Sequence, residues 1–313
     1  MIKTNNNNVY VVMYHYVREI KNSKFSNLKG LEFRDFKKQI DYFLKNFNII
    51  SHSDFAEIIE SKKIPKKKSI LLTFDDGYID HWRYVFPYLK KKKITGCFYP
   101  PVKVISKNKV LDVNKIHFIL EKENNLDKIL DLIFFYTKKY INKDESSLKI
   151  HKIDTKSRYD NKKTILIKRL LQNYLPLKIR EKIINKLFET ILEFNEKDLS
   201  KKLYMNEVQI KEMYKNNMSF GSHGDNHFWW NKLNYKNQLK EITNSINFFK
   251  KLKVYDNVFS VCYPYGGYNL NSVKILKKKN VAFALTTKVG SVNKLNVKNN
   301  FEVPRYDCND FKS

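Results

Sequence analysis

Between Ser69 and Tyr78 the chain reads Ser-Ile-Leu-Leu-Thr-Phe-Asp-Asp-Gly-Tyr. The apolar run is the pattern of a strand buried on both faces, as in a parallel sheet covered by helices. It ends in two adjacent carboxylates, Asp75 and Asp76, and then Gly77. Side chains alternate along a strand, so neighbouring Asp residues point apart. Both reach one site only where the strand has given way to a loop, a turn that Gly77 permits. The C-terminal ends of barrel strands are where catalytic groups of such folds sit. Asp-Gly is also common in turns and Asp caps helices, so this stretch alone leaves a turn or a cap open.

A second stretch, Phe220-Gly-Ser-His223-Gly-Asp-Asn-His227, sets two histidines four residues apart. That spacing puts them on one helical face or around one strand-to-helix turn. Neutral imidazoles with a carboxylate are a usual catalytic zinc set that leaves a position open for water. Either histidine alone reads as a surface or core residue. Together with Asp75 and Asp76 they point to a metal site.

Thr73-Phe74-Asp75-Asp76-Gly77 followed by His223-x-x-x-His227 resembles the signature pair of the polysaccharide deacetylases. That family includes chitin, peptidoglycan and nodulation-factor deacetylases. Cys262-Tyr263-Pro264-Tyr265-Gly266 is similar to the family's Arg-x-Pro-Tyr-Gly loop, and the motifs occur in the family's order. The resemblance covers the first and last thirds of the chain and is closest to the rearranged-barrel subgroup. It implies an α/β fold, a distorted (β/α)7 barrel, and metal-assisted amide hydrolysis. By the same resemblance Asp76, His223 and His227 hold a divalent cation. Zinc is the default for these ligands, with cobalt or nickel as alternatives. Coordination can lower the pKa of a water from about 15.7 to roughly 7. Asp75 takes the part of general base, the backbone N–H of Tyr265 helps hold the oxyanion, and Tyr263 of the same loop lies on the substrate side.

The chain departs from this pattern in two places. Cys262 stands where the family has an Arg that orients the base, and Leu285-Thr286-Thr287 stands where many members carry the His that acts as acid. Val9 to Val17 reads as a β-rich strand that ends near His15. Rearranged-barrel deacetylases start with a similar strand ending in Tyr-His, which puts His15 at the rim of the site as a candidate replacement acid. Arg305, in Pro304-Arg305-Tyr306-Asp307, is the candidate to approach Asp75.

Elsewhere strands and helices alternate, which predicts parallel pairing. Phe33, Phe36, Ile40, Leu44 and Phe47 form a helical stripe, and Ser53 is placed to cap a helix Asp54–Ser61. Tyr78–Lys93 reads as a helix interrupted at Pro87. Strands are expected at Ile94–Tyr99, Met218–Ser222, Asn257–Cys262 and Val281–Thr286, with helices at Asn206–Asn216, Tyr235–Leu252 and Leu270–Lys279. Residues 106–200 change character. Stripes at Leu126–Phe134 and Ile179–Leu192 mark a helical insertion, either a lid, a platform for a substrate chain or a packing appendage. The barrel is then made of residues 1–105 and 201–313.

Lys plus Arg number 60 against 32 Asp plus Glu, a net charge of +28. Such a balance suits nucleic acid, anionic lipid or an acidic substrate. The lysines are dispersed rather than gathered in one stripe, so no nucleic-acid footprint is expected. Peripheral contact with the anionic inner leaflet of a membrane stays open. Cys97, Cys262 and Cys308 lack metal spacing and suit a reducing cytoplasm. The first residues show no signal-peptide pattern. The expected activity is therefore that of a cytoplasmic N-deacetylase. Its partner would be an N-acetylated saccharide, nucleotide-linked, lipid-linked or an oligosaccharide, in surface-polysaccharide synthesis. Two alternatives are a hydrolase of another non-peptide C–N bond and a carbohydrate-binding or assembly protein that kept the metal ligands and lost the acid.

Overall fold

The computed structural model describes residues 4–311 apart from 22, 24, 25, 27, 158, 159, 193, 256 and 257. Its strands are β1 (Val9–Tyr14), β2 (Val17–Arg18), β3 (Leu31–Glu32), β4 (Asn48–Ile49), β5 (Ser69–Asp75), β6 (Cys97–Tyr99), β7 (Ser219–Phe220), β8 (Ser260–Cys262), β9 (Phe283–Leu285) and β10 (Tyr306–Asp307). Asn257, the first residue of one expected strand, lies outside the described residues.

Every residue of β5 is buried. Along one edge β5 pairs in parallel with β1, from Val9↔Ser69 to Tyr14↔Phe74; along the other it pairs with β4 at its start and β6 at its end. β6 pairs with β7, β8 with β9, and β10 with β1, all in parallel. Single parallel bridges, Ser222↔Val261 and Leu285↔Val303, connect β7 to β8 and β9 to the segment entering β10. Seven segments (β1, β5, β6, β7, β8, β9 and β10) thus follow one another round a ring. This is the distorted (β/α)7 barrel, with two of its joints reduced to one bridge each.

The period-two alternation decides what faces inward. Leu71 packs in one cluster with Val9, Val11, Cys97, Tyr99, Cys262, Phe283, Leu285 and Val303. Thr73 and Asp75 share its parity on β5. Phe74, of opposite parity, stacks outward between Tyr14 (ring centroids 5.0 Å) and Phe98 (4.7 Å) and meets Phe36 edge-on. Between Ile70 and Leu72 both faces of β5 are therefore apolar, and the inner face turns polar at Thr73 and then Asp75.

Three local expectations need correction. The helix Phe33–Asn46 buries Phe36, Gln39, Ile40 and Phe43, while Leu44 is 42% exposed. Phe43, at i+3 from Ile40, keeps the stripe on the inner face, and Leu44 turns past it. Ser51, not Ser53, caps the next helix, His52–Ser61: its side chain accepts from the Asp54 N–H, and the Asp54 carboxylate accepts from the Ser51 N–H. Before Pro87 the helix widens into a π turn, His81–Val85, in which the Phe86 N–H donates to the His81 carbonyl. A proline clashes with the carbonyl four residues back, and the wider turn relieves it.

Two compact units are present: Met1–Asn22, Lys29–Lys109 and Ser200–Ser313 form one, Ser23–Leu28 and Val110–Leu199 the other. The second is helical. Its helix Leu126–Ile141 buries Ile129, Leu130 and Ile133, and its helix Leu177–Ile191 buries Ile183, Ile184, Leu187 and Phe188. Lys115 is buried in this unit, where its ammonium donates to Glu196 at 2.8 Å and Asn185 at 2.7 Å. Among the described residues no helix is long and apolar enough to cross a membrane.

Candidate metal centre

Asp75 is the last residue of β5 and points into the barrel mouth. Asp76 brings its own carboxylate to the same mouth by leaving the strand: its φ is +69° and that of Gly77 is +71°. Two successive left-handed residues break the alternation that would otherwise send the carboxylates apart. A side chain on Gly77 would place its Cβ 2.5 Å from the Cβ of Pro100, so only glycine fits there.

The histidines come from the loop after β7. Ser222 is bridged to β8, and His223 follows it; His227 takes φ +61°. The Nδ1–H of His223 donates to the Cys262 carbonyl at 2.7 Å, which leaves its Nε2 as a bare lone pair. The Nε2 atoms of His223 and His227 lie 3.2 Å apart. Asp76 Oδ1 lies 3.3 Å from Nε2 of His227 and 3.6 Å from Nε2 of His223. Burial lowers the pKa of both histidines; for His227 the neighbouring His223 adds to it, and for His223 Asp75 and Asp76 oppose it.

These donors fit a divalent cation. Without one, the best the cluster can do is a single N–H···N bond between the imidazoles. That leaves Asp76 Oδ1 buried with no hydrogen-bond donor, and an unsatisfied buried carboxylate oxygen is costly. A cation is the group that satisfies two imidazole lone pairs and one carboxylate oxygen together. Asp75, His223 and Cys262 also lie within ligand reach of one another. The guanidinium of Arg305 already occupies that position.

Arg305 binds Asp75 through both oxygens, Nη1 to Oδ1 at 3.0 Å and Nη2 to Oδ2 at 2.8 Å. Its Nε–H donates to the Thr286 carbonyl at 2.9 Å and Nη1 to Thr73 Oγ1 at 3.2 Å, while Nη2 sits 2.9 Å from the Cys262 sulphur. The Cys262 thiol donates to Asp75 Oδ2 at 3.4 Å. Burial alone would raise the Asp75 pKa, but Arg305, with His223 and His15 nearby, holds the carboxyl well below the usual carboxylate range. Burial pushes the Cys262 thiol up, and Asp75 pushes it further, so it is a neutral donor.

His15 follows β1 and is half-buried; its imidazole is close enough to act electrostatically on Asp75, His81 and His227. Its carbonyl accepts from His81 Nε2 at 2.8 Å. Tyr265, at φ +57°, lays its ring against His227 (4.6 Å) and stacks on Trp229 at 4.8 Å and 5°. Tyr263 goes elsewhere. It is fully buried, its hydroxyl donates to the Phe301 carbonyl at 3.1 Å, and its ring stacks on Tyr268. That side chain anchors the loop and does not face the cluster.

Three participants carried no expectation from the sequence. Tyr78 donates to Asp76 Oδ2 at 2.8 Å, Trp229 backs Tyr265, and Glu241 ties down the loop between the histidines. Glu241 accepts from the Asn226 backbone at 2.9 Å and also from its side-chain amide. Its signal was available: Gln238, Glu241 and Ser245 fall on the buried stripe of the helix Tyr235–Leu252, where apolar residues belong.

A family profile described as polysaccharide deacetylase matches residues 62–117 and 191–284. No curated protein matches the sequence. Among solved structures, the Streptococcus pyogenes deacetylase PplD, in complex with acetate, is similar with a TM-score of 0.59 and 16% identity, over 97% of this chain and 93% of that one. IcaB from Ammonifex degensii gives 0.57 and 16%, over 95% and 90%. The BpsB deacetylase domain from Bordetella bronchiseptica gives 0.56 and 14%, over 98% of both chains. At these identities the likeness is one of fold.

Proposed function

Since this chain belongs to the polysaccharide deacetylase family, we propose that it is a metal-dependent N-deacetylase that hydrolyses the acetamide of an N-acetylated sugar. The observation that carries this reading is the meeting of Asp76 Oδ1 and two imidazole Nε2 atoms beside a second carboxylate, Asp75, held ionised by Arg305. Asp76, His223 and His227 would hold the cation. When bound, a divalent cation would polarise the acetamide carbonyl and make water a nucleophile at neutral pH.

The chain's own groups do the rest. Asp75 takes the proton of the attacking water. Arg305 fixes both oxygens of that carboxylate and keeps it ionised, so it is competent at ordinary pH. His15 gives the proton that the departing amine requires. What supports it is its electrostatic reach to both Asp75 and His227. The Tyr265 N–H steadies the negative charge that develops on the carbonyl oxygen; one such donor is worth about 3 kcal/mol in comparable sites. The ring of Tyr265, clamped between His227 and Trp229, fixes the backbone that carries this N–H.

The substrate is a precursor of a surface polysaccharide, handled in the cytoplasm or at the inner face of the membrane. Cys97, Cys262 and Cys308 are buried as thiols rather than joined in disulfides, which supports a reducing compartment, and the net charge of +28 supports contact with an anionic leaflet.

Acetate release from N-acetylated sugar nucleotides and oligosaccharides, with protein reloaded with zinc, cobalt or nickel, tests the proposal. Asp75→Asn should lower the rate by about 10²–10⁴-fold with metal still bound. His223→Ala should lose both metal and turnover, and His15→Gln should keep metal while losing turnover. A folded, metal-loaded wild type that releases no acetate from the panel overturns the proposal.

A further inference from the structure

The two oxygens of Asp76 have different surroundings. Oδ1 faces the histidines and has no hydrogen-bond partner, whereas Oδ2 accepts the Tyr78 hydroxyl at 2.8 Å. Tyr78 is fully buried. Its ring stacks on Tyr16 at 4.1 Å and on Tyr204 at 5.9 Å, and the Tyr16 and Tyr78 side chains are hydrogen-bonded. The guanidinium of Arg18 lies 5.1 Å from the Tyr16 ring centroid and is itself pinned to Asp80 at 2.6 Å, a carboxylate that is also buried. A continuous run of contacts, Asp80–Arg18–Tyr16–Tyr78, therefore ends on one oxygen of one proposed metal ligand.

We propose that Tyr78 is a positioning residue that makes Asp76 a one-oxygen ligand. The inference rests on the metal reading of the cluster and goes beyond it. With Oδ2 engaged by a hydroxyl that buried rings hold in place, the carboxylate presents Oδ1 alone to the point where the two Nε2 atoms meet. Three single-atom ligands leave positions free for water and substrate, which a carboxylate binding through both oxygens would narrow. Residues that orient ligands in this way typically contribute 10–100-fold to metal affinity.

The test is zinc affinity of the purified full chain by competition with a chromogenic chelator, together with the visible spectrum of the cobalt-loaded protein. Tyr78→Phe removes one oxygen and leaves the stacking rings. It should weaken zinc binding by about 10–100-fold and shift the cobalt bands as the carboxylate turns. Tyr16→Phe, which removes only the partner of the Tyr78 hydroxyl, should weaken binding by less and move the bands in the same direction. It keeps the question answerable if Tyr78→Phe fails to fold. Wild-type zinc affinity and an unchanged cobalt spectrum in both variants would overturn the positioning role. A wild type that binds neither metal would instead overturn the metal reading itself.

Discussion

Burial by itself would raise the pKa of the Asp75 carboxyl, and the guanidinium of Arg305 reverses this. The pair is bidentate and both groups are almost fully buried, so neither can turn to water if the other is lost. Arg305→Ala should cost about 3–5 kcal/mol of stability, read from urea denaturation, because it strands a buried carboxylate. It should also move the acid limb of the rate profile to higher pH, since the remaining burial favours the protonated base. On that limb the rate falls about tenfold per pH unit. The sign for stability follows the same shift. A carboxyl with a depressed folded pKa contributes stability that is present above its unfolded value, about 3.9, and is lost as pH falls below it. A rate profile in Arg305→Ala that matches wild type would show that the guanidinium does not set the base. Asp75, Asp76, His223 and His227 were legible because each pair sits within a few residues in the sequence. Tyr78 and Glu241 were not singled out, because a hydroxyl beside Gly77 and a glutamate on a long helix have many commoner uses. What gives them a role is distance in space, 2.8 Å to Asp76 and 2.9 Å to the Asn226 backbone.

Elements were legible where a period was long enough to read. Tyr235–Leu252 has the bounds its stripe implied, since five turns of pattern leave little freedom. Short elements were harder. The helix His52–Ser61 begins two residues before its expected start, and the reason is chemical: Ser51 and Asp54 bond reciprocally, a pairing that Ser53 has no residue three positions on to provide. Ser51→Ala should therefore lower stability by about 1 kcal/mol in a denaturation curve, and Ser53→Ala by less than about half of that. Equal losses in the two variants would mean that the reciprocal bond adds nothing. The same helix leads through a lysine-rich turn into β5.

For the whole molecule, alternation predicted a parallel barrel but could not show how the ring closes, because two joints are single bridges with no pattern of their own. Outside the ring, behind β5, one buried titratable group, His81, bears on how the molecule should answer to acid. It is completely buried, and its ring lies among Phe74, Tyr78 and Phe98 while Nε2 donates to the His15 carbonyl. Burial pulls its pKa down to about 3; the His15 and Arg18 charges add to this, and the bond to the His15 carbonyl and Asp75 oppose it. The unfolded chain takes up this proton near 6.5 and the folded chain does not. The contribution of a neutral His81 is thus fully present above about pH 6.5 and declines by up to ~1.4 kcal/mol per pH unit as pH falls toward the folded value. Urea denaturation of the metal-free protein between pH 7 and pH 4.5 should show that decline, and His81→Phe, which suits an aromatic site, should flatten it by one proton's worth. A variant with the full wild-type slope would mean that the acid sensitivity comes from other groups and that His81 is free to charge within the fold.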